Sequence, residues 1–163
     1  NTLVERVKDH YRPSTAVVLR GEELATSILR GNWLYFPSLG WKASTITKIG
    51  FRKGLNVVQD AALVLDVAMH NGGLFYDPTV AFMYRRHGGS DSSWRALEGT
   101  RFDEERAFFN QMADEMTAKS WPKAARAARV HLSSRLHALR LLPKAALAKK
   151  WQGVKNLATH AVK

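Results

Sequence analysis

The chain has no cysteine. Disulfides, thiolate-bound zinc, iron–sulfur clusters and thiol nucleophiles are excluded with it, and a cytoplasmic setting fits. No apolar run approaches the roughly 20 residues that cross a bilayer, and the first residues do not read as a basic-then-apolar leader. Position 1 is Asn rather than Met, so the gene product is expected to start upstream. Several short signatures are also missing, among them G-x-S-x-G, H-E-x-x-H, the Walker loop and G-x-G-x-x-G. Acid is absent only locally. Residues 1–118 hold 14 Lys/Arg and 14 Asp/Glu, whereas 119–163 hold 11 Lys/Arg and no acid, so the net charge of +11 belongs to the tail. A break this sharp divides the chain into a neutral portion, 1–118, and a basic one, 119–163, and only the second has the electrostatics to seek a polyanion or an anionic membrane.

At 163 residues and 45% hydrophobic, the chain is long enough for one domain with a real core. TAVVLR, Thr15 to Arg20, has the β-branched content of a strand, and GEELATSILRG reads as a helix with early acids and a terminal Gly31. The next stretch, GNWLYFPSLGWK, sets Trp33, Tyr35, Phe36 and Trp41 among glycines and a proline, too aromatic for a solvated loop and too broken for a regular element. A short helical turn is expected over Ser44 to Ile49. KIGFRKGLN then leads to an apolar helix that opens at Gln59-Asp60 and ends at Asn71-Gly72-Gly73. LFYDPTVAFMYRRH holds two strand-like runs joined by the turn pair Asp77-Pro78. From Ser93 the pattern is helical, with a long Ala-rich segment after Trp121-Pro122.

Three places carry candidate chemistry. Asp60, at a helix start, is either a cap that accepts orphan backbone N–H bonds or a general base held beside a cleft. Arg85, Arg86 and His87 end a strand-like run just before Gly88-Gly89-Ser90. They are either a solvated strand end or an oxyanion site, in which guanidinium forks and glycine-loop N–H groups meet the same oxygens. Trp33 and Trp41 either fill the core or line a cleft where a flat ring stacks on a sugar or base, with Asn32, Ser38 and Lys42 as polar contacts.

The succession GNWLYFPSLGWK, IGF, VVQDAALVLDVAMHNGG and YRRHGGSDS resembles the C-terminal half of family 2 glycosyltransferases with the GT-A fold, over roughly Gly21 to Met116. The resemblance implies an α/β fold: a short mixed sheet with helices over 1–118, the acceptor-side portion of the catalytic domain, followed by the helical tail 119–163. It implies that Asp60 is the base of an inverting sugar transfer, with Gln59 where Glu is usual in the family. Arg85, Arg86 and His87 then face the donor diphosphate, with His87 also a metal contributor, and Asn32, Trp33, Trp41, Lys42 and Gln59 lie on the acceptor side. The implied partners are a nucleotide-sugar donor and a sugar or lipid-linked acceptor, and the implied cofactor is a divalent Mg or Mn ion. Family members hold that metal with an Asp-x-Asp motif in an N-terminal βαβ region, and no such motif occurs in this sequence. The expectation is therefore a chain that holds half of the site and is inactive alone.

In AARAARVHLSSRLHALRLLPK, Arg126, Arg129, Ser133, His137, Arg140 and Lys144 recur at spacings of three and four, with Ala128, Leu132, Leu136 and Leu139 on another side. This is the pattern of one amphipathic helix with a cationic face. Its apolar side packs on the domain, or the helix lies on an anionic membrane, which would make the protein peripheral on the inner face of the plasma membrane. Nucleic acid has only the charge in its favour. A non-catalytic basic helical module binding a membrane or nucleic acid is the alternative to the enzyme.

Overall fold

Val17–Arg20 (β1) and Gly73–Tyr76 (β2) pair antiparallel, Val17 opposite Tyr76 and Arg20 opposite Gly73. The computed structural model describes residues 7–80 and 99–162. Among these, the sheet has two strands. The alternation of strand side chains turns Leu19 into the core and leaves Val18 and Phe75 exposed. The mixed sheet expected from the sequence is, within the described residues, this antiparallel pair alone. The second strand-like run, with Arg85, Arg86 and His87 at its end, lies outside them.

Helices supply most of the rest: Gly21–Arg30 (α1), Ala43–Ile49 (α2), Gln59–Met69 (α3), Thr100–Ala118 (α4), Pro122–Val130 (α5), Leu132–Leu147 (α6) and Trp151–Val162 (α7). The mostly helical, mixed α/β character agrees with the sequence reading at that coarse level. In α1, Glu22 and Glu23 sit in the first turn and Arg30 in the last, matching the helix dipole, while Leu24, Ala25, Ile28 and Leu29 face inward. α3 is buried continuously from Ala61 to Ala68, a run that is apolar except for Asp66, whose carboxylate is paired with Arg52.

One core joins α1, α3, α4 and α5. Leu24, Leu29, Leu65, Met112 and Met116 are enclosed in it, each worth roughly 1.5–3 kcal/mol of burial. Ala124, Ala125, Ala127 and Ala128 of α5 belong to the same core. Their small side chains let α5 lie against both α1 and α4. The composition break at residue 119 is therefore not a break in packing: α5 is basic outside and core alanine inside. A smaller second core forms where Phe102 of α4 meets Ala138 and Ala145 of α6 and Leu157 of α7.

The tail also departs from the single amphipathic helix of the sequence analysis. His131, at φ 29° and ψ 46°, separates α5 from α6. The buried face of α6 is Ser134, Ala138 and Ala145, whereas Leu132, Leu139 and Leu147 are exposed. Small residues face in because α6 and α7 pack closely, and that turns the leucines outward.

Two glycines are demanded by close approach. A Cβ on Gly72 would stand 2.4 Å from a Val67 methyl and 2.7 Å from the Val67 carbonyl oxygen, so the turn from α3 into β2 admits no side chain. Gly99 has φ 76°, and a Cβ there would stand 2.5 Å from Cβ of Asn156, where α7 comes against the start of α4.

Candidate functional site

The segment between α2 and α3 is held from two sides. Arg52 lays its fork on Asp66 of α3 (Nε to Oδ2, 2.9 Å; Nη2 to Oδ1, 2.6 Å) and on Glu115 of α4 (Nη1 to Oε1, 2.8 Å; Nη2 to Oε2, 2.7 Å). The bonds to Asp66 and Glu115 raise the arginine's pKa further and keep it charged, and the same arginine holds the Glu115 carboxyl below the usual range. Gln111 adds a bond to Glu115 at 2.8 Å. One turn further on, the N–H groups of Asn56, Val57 and Val58 all donate to Oε1 of Glu104, at 2.9, 2.6 and 3.2 Å. A carboxylate from α4 thus takes the orphan donors in front of α3.

Among the described residues, Oδ1 of Asp60 accepts from the neighbouring Ala61 N–H, at 2.7 Å, while Glu104 serves the donors before the helix. Half-buried Asp60 borders a cavity of about 200 Å³ with Phe36, Phe51, Asn56, Val57 and Gln59. A second cavity, about 270 Å³, shares Phe36 and Phe51 with the first and is lined also by Trp41, Ala43, Ile46, Thr47 and Leu63. The two rings form the shared wall, 5.8 Å apart between centroids, with Trp41 6.2 Å from Phe36. Phe51 is 48% exposed, an unusual state for a phenyl ring tethered this firmly through its neighbour Arg52. The arrangement is an aromatic cleft with a carboxylate at one end, suited to a ligand with flat C–H faces and a hydroxyl.

The residues named from the sequence separate into three groups. Asp60, Gln59 and Trp41 border the two adjoining cavities. Asn32, Trp33 and Lys42 do not line either. Trp33 is 3% exposed, with its Nε1 donating to Ser27 Oγ at 3.0 Å and its ring edge-on to Tyr76, so it is a core residue. Asn32 accepts the Leu34 N–H at 3.2 Å and shapes the loop. Lys42 is exposed, and its carbonyl starts α2 by accepting from Thr45 and Ile46. Ser38 donates to the Tyr35 carbonyl at 2.7 Å, closing the short 3-10 turn Phe36–Ser38. Arg85, Arg86 and His87 lie outside the described residues. The implied divalent metal has no group of three His, Asp or Glu side chains to hold it among the described residues.

Phe36 was named with the aromatic loop but not as a cleft residue, and Phe51 of the cleft, with Arg52 and Glu104 that brace the segment beside it, was not singled out. Phe51 had a signal, the Gly50-Phe51 turn quoted in the resemblance. Glu104 had none, because nothing in DEER ties it to a helix start more than forty residues earlier. No protein-family model, curated protein or solved structure matches the chain.

Proposed function

We propose that this chain is the acceptor-side half of an inverting glycosyltransferase with family 2 character, and that Asp60 is its general base. The observation that supports the reading is the position of Asp60: in the first turn of α3, at the end of an aromatic cleft, with the donors before the helix already taken by Glu104. An acceptor sugar stacked on Phe36 and Phe51 brings a hydroxyl to the carboxylate. The hydroxyl oxygen bonds to the anomeric carbon of the donor, its proton passes to Asp60, and the bond from the anomeric carbon to the diphosphate oxygen breaks with its electron pair leaving on that oxygen. A hydroxyl is a poor nucleophile until a positioned base accepts its proton, which is what the carboxylate supplies.

Arg85, Arg86 and His87 are proposed to meet the diphosphate charge, as cations near a leaving group do. Gln59, beside Asp60, donates to the acceptor. A nucleotide-sugar donor and a sugar or lipid-linked acceptor follow from this reading; the ligands of a divalent metal would lie in the donor half, apart from His87.

Asp60→Asn tests the assignment in the protein that joins this chain to its donor half. The amide oxygen keeps the bond to Ala61 N–H, and Glu104 keeps its three donors, so folding is retained. Turnover should fall by roughly two to four orders of magnitude, the usual worth of a general base. Turnover within a few fold of the parent would remove Asp60 from the mechanism.

A further inference from the structure

We infer that the outward face of α6 is a docking surface for an anionic lipid bilayer. The face has two components. The first is apolar: Leu132, Leu139 and Leu147 recur along α6 at near-helical spacing, 45%, 46% and 85% exposed, although leucine is among the residues most often buried. Trp151, which opens α7 just after Leu147, is 69% exposed. The second component is cationic. Arg140 and Lys144 fall beside the leucine stripe on the same helix, and Lys149 follows Leu147 at the corner into α7, all three exposed. Helix periodicity places Arg140 and Lys144 along one flank of the stripe rather than opposite it.

Charge selects the occupant. Residues 119–163 carry 11 Lys/Arg and no acid, so no carboxylate of the tail offsets this face. A protein partner that covered the leucines alone would leave the cations unmatched. A nucleic acid would match the cations and leave the leucines in water. An anionic bilayer meets both at once, taking leucine and tryptophan into the acyl and headgroup boundary while phosphates meet Arg140, Lys144 and Lys149. Trp151 is the residue type that settles at that boundary. No helix among the described residues is long and apolar enough to cross a membrane, so the contact is peripheral. The inward face supports this assignment, because Ser134, Ala138 and Ala145 already seat α6 on the protein and leave the leucines no internal role. The inference stands apart from the transferase reading and fails or holds without it.

Vesicle sedimentation of the full chain tests it, with vesicles of phosphatidylcholine alone and of phosphatidylcholine mixed with phosphatidylglycerol. Two variants accompany the parent, Leu139→Gln with Leu147→Gln, and Arg140→Gln with Lys144→Gln. All four positions are exposed, so circular dichroism should be unchanged. The parent should pellet with the anionic vesicles, release at high salt and stay in solution with neutral ones, and each double variant should bind roughly tenfold more weakly or worse. Three results would overturn the inference: no pelleting, equal pelleting on both lipids, or a leucine variant that binds like the parent while the charge variant does not. The last would mark a polyanion site such as nucleic acid.

Discussion

His160 is wholly enclosed between α4, α6 and α7, and its partners fix its protonation. Ser134 has one hydroxyl proton, which it donates to the Glu105 carboxylate; its oxygen must then accept from His160 Nε2, 2.8 Å away. Nε2 therefore carries a proton, and the buried Nδ1, which has no partner among the described residues to receive a second one, favours the neutral imidazole. Burial pushes the pKa down from 6.5 to about 4, against the opposing pull of Glu105. His131 next to it, which donates from Nδ1 to the Ala128 carbonyl and accepts from Arg135, is lowered by burial too. A folded-state pKa below the unfolded one means that the unfolded chain binds the proton first. The contribution to stability is thus complete above pH 6.5 and is lost as pH falls toward 4. For His160 it is on the order of 3 kcal/mol. Urea titrations across that window should show the stability of the parent falling more steeply than that of His160→Gln. Parallel slopes would mean the imidazole is not held neutral.

At the scale of elements, the helix ends explain both what was legible and what was not. α3, α4 and α6 all finish with the same pair of bonds. At α3, Gly72 N–H reaches the Val67 carbonyl and Asn71 N–H the Ala68 carbonyl; Trp121 with Ser120 and Lys150 with Lys149 repeat the pattern. Such an ending needs a left-handed residue, and Asn71, Ser120 and Lys149 supply it at φ 63°, 59° and 54°. Asn71-Gly72-Gly73 is readable as a stop because Asn and Gly favour that region, and Trp121-Pro122 marks the second break. Ala148-Lys149-Lys150 contains no such residue, so the boundary between α6 and α7 has no signal in the sequence. His131 hides the α5 to α6 break for the same reason. Reading the tail as one helix puts Ala128 and the leucines on one apolar side, whereas Ala128 belongs to the core and Leu132 and Leu139 are exposed. The aromatic cleft was half legible: the loop around Trp41 announced itself by composition, but Glu104 and Arg52 act across long separations that periodicity does not report. Ser120 gives a direct measure of these endings. A side chain in the left-handed region costs about 1 kcal/mol, so Ser120→Gly should stabilise the protein by roughly 0.5–1 kcal/mol in thermal unfolding. A lowered Tm would show that the exposed hydroxyl has a role the backbone does not reveal.

Across the whole molecule, charge and packing follow different boundaries. The basic excess begins at Lys119, yet the main core continues through the alanines of α5, and Oε1 of Glu22 in α1 caps that helix by accepting from Lys123 N–H at 2.6 Å and Ala124 N–H at 3.3 Å. The tail is therefore joined to the cleft-bearing portion through α5, and again at the start of α4, where Phe102 meets α6 and α7. In the proposed enzyme this divides labour: the cleft holds an acceptor hydroxyl against Asp60, and the exposed leucines of α6 hold the protein on a surface. In the proposed reaction a single displacement is assisted by one carboxylate, and a single displacement inverts the anomeric carbon. The most direct measurement is the anomeric configuration of the product, read from its proton NMR spectrum after the chain, joined to its donor half, has used a nucleotide sugar of known configuration. The glycoside formed should have the opposite configuration; a product of retained configuration, or no glycoside with any nucleotide sugar, would rule out a single displacement assisted by Asp60.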